Sequence, residues 1–552
     1  MGGEVQLTSV GVAKSKLAEV ERQIQQWEQL PDYRLVGGVQ LSELAACAVQ
    51  AVQLQMMHAP LQARLSSLPH TVSILQSMEL PLQAVLARME ATGVMVDREK
   101  LDAVTQEVGA ALKKAEAECS ELAGLAVSPL GRKELREVIN GQIVRQRASS
   151  DGGSSQDTST VYESPFAGFA DPRPGEPGSL NTEALKFLST VNPLAKALIP
   201  YLELKRVHRD YCLPLQKAVD PRDGRIRAQI IPIGETGITS KACITGSPSG
   251  RLACRSPDLQ SVPSKGSHSG RVRAALTATP GYTLLAADYS QIELRVIAQL
   301  SRDSALLDHF KKGDDVHCLV AMQLFKATAK EDVAHAQRAA AKNMIFGTLY
   351  SVGHRTLAAQ NGLTEQTSRG FVTAFRERYP KACDYMEQLQ REAVSKGYTE
   401  TMFGRRCAFT FLDPRAAAMK GRAAADIDLL KCYSEWPLSD QALLKTTSQT
   451  PTQGSAADIL KTAMLAVDKA LADHKLDARL IITVHDELML EVRTTDRDSG
   501  EKTGAVMQAV RAVVGEAMVA AATGVMPDVG QSVNMYEGAD WKEISDKKAK
   551  TA

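Results

Sequence analysis

Apolar residues recur every three to four positions over 13–29 and 41–65, which predicts two helices near the start of the chain. A third helix is predicted over residues 80–92 and is stopped by Gly93. The triplet Val94-Met95-Val96 then reads as a short strand. Long helical patterns follow at about 100–123 and 133–146. Residues 147–180 break the pattern. They are rich in Ser, Gly, Asp and Pro, a composition with too little apolar surface to order itself, and read as an insertion within a helical domain. A second irregular stretch is expected over about 413–440, and there is no internal repeat. From Ile226 the texture changes to short strands and loops. Residues 282–287 (YTLLAA) predict a buried strand that ends at Asp288, with a helix over 292–300 behind it. Residues 333–350 predict a long helix, with more helices to about 395. Apolar runs at 479–484 and 488–492 flank His485-Asp486-Glu487, which predicts a β-hairpin with an acidic tip. Ser455 with Asp458 three residues later is a helix-start signal, which leaves Gln453 in the loop before it.

The chain has 552 residues, enough for three or four folding units at about 150 residues each. No apolar run approaches the roughly 20 residues of a membrane span, so no membrane partner is expected. Lys plus Arg number 65 and Asp plus Glu 64, so any polyanion must be bound by local basic stripes, not by global charge. The cysteines are scattered without a CxxC pair, which argues against zinc ribbons and a disulfide framework and for a reducing compartment. Residues 1–20 lack a continuous apolar core, so an intracellular protein is expected.

Three constellations could carry chemistry. Asp288 at a strand end and His485-Asp486-Glu487 at a hairpin tip offer carboxylates on two elements. Taken alone, the first is a helix cap and the second a charged turn. Together they suit a hard divalent ion such as Mg²⁺, and a pair of ions can activate a hydroxyl and stabilise a leaving phosphate oxygen. Arg338, Lys342, Phe346 and Tyr350 recur every four residues on one helix face. Two cations one turn apart can bind a triphosphate, and two rings further along can stack on a base; buried aromatics beside a basic tip are the plainer alternative. Between Asp258 and Asp288 there is no acidic residue, while Lys265, Arg271 and Arg273 lie there, with Arg251 just before and Gln260 at its start. That stretch reads as a phosphate-backbone contact or as a solvated loop.

DYSQIELR at 288–295, Arg338-x3-Lys342-x3-Phe346-x3-Tyr350 and VHDE at 484–487 resemble, in order, motifs A, B and C of the polymerase I family (family A) DNA polymerases. SGRLACRSPDLQSVP at 249–263, GYTETMFGRR at 397–406, QGSAADILK at 453–461 and PLQAVLARMEATGVMVD at 81–97 extend the resemblance from about residue 75 to the end. It implies an α+β right hand with an antiparallel palm sheet and helical thumb and fingers. Residues 1–75 would be a helical remnant, 76–98 the palm start, 99–210 the thumb, 211–296 palm, 297–473 fingers and 474–552 palm. The implied function is template-directed addition of dNTPs to a primer 3′ end in replication or repair, by a single catalytic chain.

The same resemblance implies roles for single residues. Asp288, Asp486 and the Tyr289 carbonyl would hold two Mg²⁺ ions, with Mn²⁺ as a substitute and Glu487 in support. Glu293 would be the gate against a ribose 2′-hydroxyl. His317, Arg338 and Lys342 would hold the triphosphate, Lys342 also acting in catalysis. Phe346 would stack on the incoming nucleotide, and Tyr350 would guard the templating position. Arg206, Arg251, Gln260, Lys265, Gln453 and His485 would contact DNA. A single-subunit RNA polymerase shares much of this set, but Glu293 argues against it. A non-catalytic relative would have lost Asp288 or Asp486, and both are present. Several departures stand out. Ser351 replaces the Gly that usually follows the motif B Tyr, and Asp258 and Gln449 each stand where the family has Asn. Extra residues between Arg406 and Gln453 resemble the inserted loops of the eukaryotic theta and nu types, with nucleus or mitochondrion as the expected compartment. Val49 stands where the family's exonuclease helix carries a catalytic Asp, so proofreading is not expected.

Overall fold

The computed structural model describes residues 68–128, 130–150, 182–232, 249–263, 268–495 and 504–551, with a few isolated positions besides. The predicted helices over 13–29 and 41–65, Val49, most of the 147–180 insertion and Lys265 lie outside the described residues, apart from a few positions near 65. Contacts divide the chain into 1–77 and 78–552, and everything below concerns the second unit.

Helix α1 (Leu80–Thr92) ends at Gly93, whose φ of +65° reverses the chain without the strain a side chain would bring. Strand β1 (Val94–Val96) follows, then α2 (Arg98–Ala123), capped by Asp97 through the Lys100 amide. Helix α3 (Pro193–Arg206) packs along α2 around Leu135, Ile139, Leu194, Leu198 and Tyr201. α1, β1 and α2 match the predicted elements within a few residues, whereas no element was predicted over α3.

The middle of the chain supplies β2 (Tyr282–Tyr289), α4 (Ile292–Ser301), α5 (Val316–Phe325), α6 (His335–Leu349) and α7 (Pro380–Lys396). The expected irregular stretch at 413–440 is in fact helical in large part. Short helices at Pro414–Met419 and α8 (Leu429–Glu435) lead into α9 (Leu438–Asp473). The two short helices start at Asp413 and Asp428, which cap them, and Phe411, Ile427, Cys432 and Trp436 give the segment its own small core.

Helix α9 overturns the reading of Ser455 as a helix start. It runs on through Pro451 and Gln453, and Ser455 is buried in its middle. The Ser455 hydroxyl donates to the Pro451 carbonyl at 2.7 Å and accepts from the Met402 amide at 2.9 Å. Asp458 does not cap either. It accepts from Thr401 and Arg405 inside a buried network in which Glu79 also receives Arg405 at 2.5 Å and Lys461 at 2.7 Å.

The last elements are β3 (Ala478–Val484), β4 (Glu487–Arg493), α10 (Gly504–Thr523), β5 (Val533–Gly538) and α11 (Trp541–Thr551). The central sheet is antiparallel in the order β3–β4–β2–β5. Helices cover both of its faces, so β2 reads as a continuous apolar run instead of an alternating one. Leu285, Ala287, Leu488 and Leu490 face one core with α4, α9 and α10, while Leu284, Ala286 and Met489 face the other with Trp541 and Ile544. Helix α10 is long and apolar enough to cross a membrane by length and composition, unlike the expectation from the sequence, but Met507, Val510, Val514 and Met518 bury one of its faces in the first core. The described cysteines are buried and free.

Candidate active site

The sheet register sets the acidic pair. Glu487, the first residue of β4, lies opposite Asp288 near the end of β2, and Asn534 of β5 flanks Asp288 on its other side. Successive residues of a strand point to opposite faces, so Asp288 shares a face with Leu284 and Ala286, and Glu487 shares it with Met489. Only two residues, His485 and Asp486, connect β3 to β4. His485 has φ +57°, and the Asp486 carbonyl accepts from the Tyr289 amide at 3.4 Å. Asp486 is therefore locked beside Asp288 by main chain. Glu487 belongs to the strand, not to the hairpin tip as predicted.

One oxygen of Asp288, the buried Oδ1, is short of a partner among the described residues. Burial, and then the charge of Asp288, pushes the Asp486 carboxyl up to about 7. Burial likewise raises Glu487. An unbonded carboxylate oxygen beside a second carboxylate is suited to a divalent cation. Among the described residues no group of three or more ligating side chains is set to hold a metal, and a two-carboxylate site suits Mg²⁺, which retains several waters. Tyr289 turns its ring into the core, its hydroxyl donating to the Met518 carbonyl at 2.7 Å, so its share of the site is main chain.

One residue of this centre was not legible in the sequence. Lys548 sits on α11, where Trp541, Ile544 and Lys548 form one stripe at i, i+3 and i+7 on the same sheet face. Its ammonium lies 2.5 Å from Asp288 Oδ2 and 3.0 Å from Glu487 Oε2. Burial pulls its pKa down, but the two carboxylates outweigh that and raise it.

Asp288, Asp486 and Lys548 open onto a cleft of about 970 Å³, also lined by Arg251, Glu293, His317, Arg338, Lys342, Phe346 and His485. The predicted helix face is thus brought opposite the carboxylates. Lys342 is exposed and makes no ion pair among the described residues. Arg338 donates to Asp315 at 2.8 Å. Phe346 stacks on Tyr350, centroids 5.7 Å apart, and meets His317 edge-on at 5.9 Å. Burial, opposed by Asp315 and aided by Lys342 and Arg338, lowers His317 to about 3, and its Nε2 has no hydrogen-bond partner. Glu293 pairs with Arg251 through Oε1 and accepts the Tyr350 hydroxyl at 2.9 Å through Oε2. Burial, then Arg251, lowers His485.

The other expected DNA contacts divide. Arg251 and His485 line the cleft. Gln260 does not line it and donates to the Thr483 carbonyl at 2.8 Å. Gln453 is half-buried within α9 and does not line the cleft, and Arg206 donates to the Tyr211 hydroxyl at the end of α3, away from it. The basic stretch after Asp258 is no free phosphate-binding loop where it is described. Residues Ser269–Ala274 form a helix that turns Arg273 inward over Trp541, 4.6 Å from the ring, and Arg271 pairs with Glu107.

The family model described as DNA polymerase family A matches residues 98–543. DNA polymerase I of Pseudomonas aeruginosa is 32% identical over 437 residues, 79% of this chain and 42% of that protein. The thermostable DNA polymerase I of Thermus aquaticus is 30% identical and matches 79% of this chain and 46% of its own. A solved structure titled "POL domain of Pol1 from M. smegmatis complex with DNA primer-template and dNTP" superposes with a TM-score of 0.67 at 25% identity, covering 96% of this chain and 79% of that one. The chain spans less than half the length of these two relatives, both bacterial. With motifs A, B and C gathered on one cleft and most of its length matched by the family model, the chain belongs to DNA polymerase family A.

Proposed function

We propose that the chain is a template-directed DNA polymerase that extends a primer 3′ end with dNTPs by phosphoryl transfer. The observation that carries this is the single cleft in which Asp288 and Asp486 face Arg338, Lys342 and Phe346. In this reading 76–98, 211–296 and 474–552 form the palm, 99–210 the thumb and 297–473 the fingers.

Asp288, Asp486 and the Tyr289 carbonyl would hold two Mg²⁺ ions, for which Mn²⁺ would substitute. When bound, such ions neutralise phosphate charge and activate the primer hydroxyl. The protein does the rest. Lys342, exposed and without an ion pair among the described residues, is available to the triphosphate, whose leaving oxygens gain charge in the transition state. Arg338, one turn earlier, adds a second cation once it shares or leaves Asp315. His317 lines the same cleft, where burial and the neighbouring Lys342 and Arg338 disfavour a charge on its ring before nucleotide binds. Glu293, fixed by Arg251 and Tyr350, occupies the space beside the sugar. Glu487 supports Asp288 across the sheet.

Primer extension tests the reading. On four primer–templates that differ only in the templating base, the protein with Mg²⁺ should add the complementary dNTP in each case. Extension independent of the template, or none, would refute it.

A further inference from the structure

Helix α6 ends in a Schellman motif. The Ser351 amide donates to the Thr348 carbonyl at 3.3 Å and the Val352 amide to the Gly347 carbonyl at 2.8 Å. That motif needs a left-handed residue at its turn, where Gly is favoured. Here the residue is Ser351, with φ +57°. A side chain there is strained by about 1 kcal/mol, so something else must hold the conformation.

The holding groups come from a distant part of the chain. The Ser351 hydroxyl accepts from Gln390 Nε2 of α7 at 3.1 Å. Gln390 is completely buried, and its amide nitrogen also lies 3.4 Å from the Ser448 hydroxyl of α9. Its carbonyl accepts from the Tyr433 hydroxyl of α8 at 3.2 Å, so Tyr433 reaches Ser351 through Gln390. Tyr433 thus ties the turn after α6 to the helical segment 413–437, which Trp436 and Cys432 anchor against Val394 of α7. Tyr350, whose ring stacks on Phe346, is the residue just before the tied turn.

We propose that Tyr433 is a positioning residue for nucleotide selection. Through Gln390 and Ser351 it fixes the end of α6 and the Tyr350 ring, so the segment 413–437 sets how strictly a mismatched dNTP is rejected. This rests on the polymerase reading above.

The test is a double-mutant cycle in the full chain with Tyr433→Phe, Ser351→Gly and the pair together. Single-turnover incorporation of correct and incorrect dNTPs is measured, with Tm as a control. Tyr433→Phe should leave kcat/KM for the correct dNTP within about twofold and raise misincorporation about fivefold, the equivalent of one neutral hydrogen bond. Ser351→Gly relieves strain as it removes the hydroxyl, so it should match Tyr433→Phe in discrimination without loss of Tm. The pair should be no worse than either single variant. Unchanged discrimination in Tyr433→Phe, or additive effects in the pair, would overturn the proposal while leaving the polymerase reading intact. Absence of templated extension by the unmodified chain would overturn both.

Discussion

Replacing Glu293 with Ala should open the sugar pocket to ribonucleotides, and the geometry sets the size of the effect. Both carboxylate oxygens are already engaged, one by Arg251 and the other by the Tyr350 hydroxyl. Each oxygen keeps a second lone pair, but Arg251 and Tyr350 set the carboxylate's orientation, so a 2′-hydroxyl can be paired only imperfectly. A ribonucleotide would therefore bury that hydroxyl with a poor partner, at about 1–3 kcal/mol, and crowd a packed site at about 1–3 kcal/mol more. The sum of about 2–6 kcal/mol corresponds to a discrimination of roughly 30-fold to 25,000-fold. Glu293→Ala should lower the ratio of kcat/KM for dNTP over rNTP by about two orders of magnitude. The variant should also be about 2 kcal/mol less stable, because the buried Tyr350 phenol loses a charged acceptor. Glu293→Gln keeps the bulk and an acceptor for Tyr350, so it should retain most of the exclusion. Steady-state kinetics with matched dNTP and rNTP on one primer–template decide. A Glu293→Ala protein that incorporates dNTPs well yet excludes rNTPs as before would refute the gate.

Other variants probe other parts of the account. Lys342→Ala should raise the KM for dNTP and lower kcat while leaving duplex affinity unchanged, which filter binding and single-turnover kinetics would check. Lys548→Met removes the cation that bridges Asp288 and Glu487, so the Mg²⁺ concentration for half-maximal extension should fall several-fold, with Mn²⁺ binding to the DNA-free protein, followed by EPR, tightening in parallel. Glu79→Ala leaves Arg405 and Lys461 buried without that carboxylate and should cost about 3 kcal/mol in denaturant unfolding; a loss below about 1 kcal/mol would mean the network relaxes.

What the sequence made legible follows from range. β2, β3 and β4 are apolar runs bounded by turn residues, and α6 keeps one face over four turns, so local pattern was enough to place them. The motif residues are close in sequence to the elements that carry them, and the structure brings Asp288, Asp486, Arg338 and Lys342 to one cleft. What failed depended on distant partners. Ser455 and Asp458 have the spacing of a cap, but Met402, Thr401 and Arg405 satisfy them inside a helix that continues through Pro451. Arg273 looks like a phosphate contact until Trp541, far along the chain, covers it. Lys548 carries no local signal at all, since only the packing of α11 on the sheet delivers it to Asp288. The helices within 413–437 are short and were masked by polar residues that turn out to be their caps.

The central claim is that Asp288 and Asp486 hold the ions that drive incorporation, while the duplex is held by cations elsewhere. Single-turnover incorporation by Asp288→Ala and Asp486→Ala, with duplex affinity measured on the same preparations, tests it most directly. The account predicts a loss of incorporation of at least about a thousandfold, with Kd for primer–template changed by less than about threefold. Near-normal incorporation by either variant would contradict it.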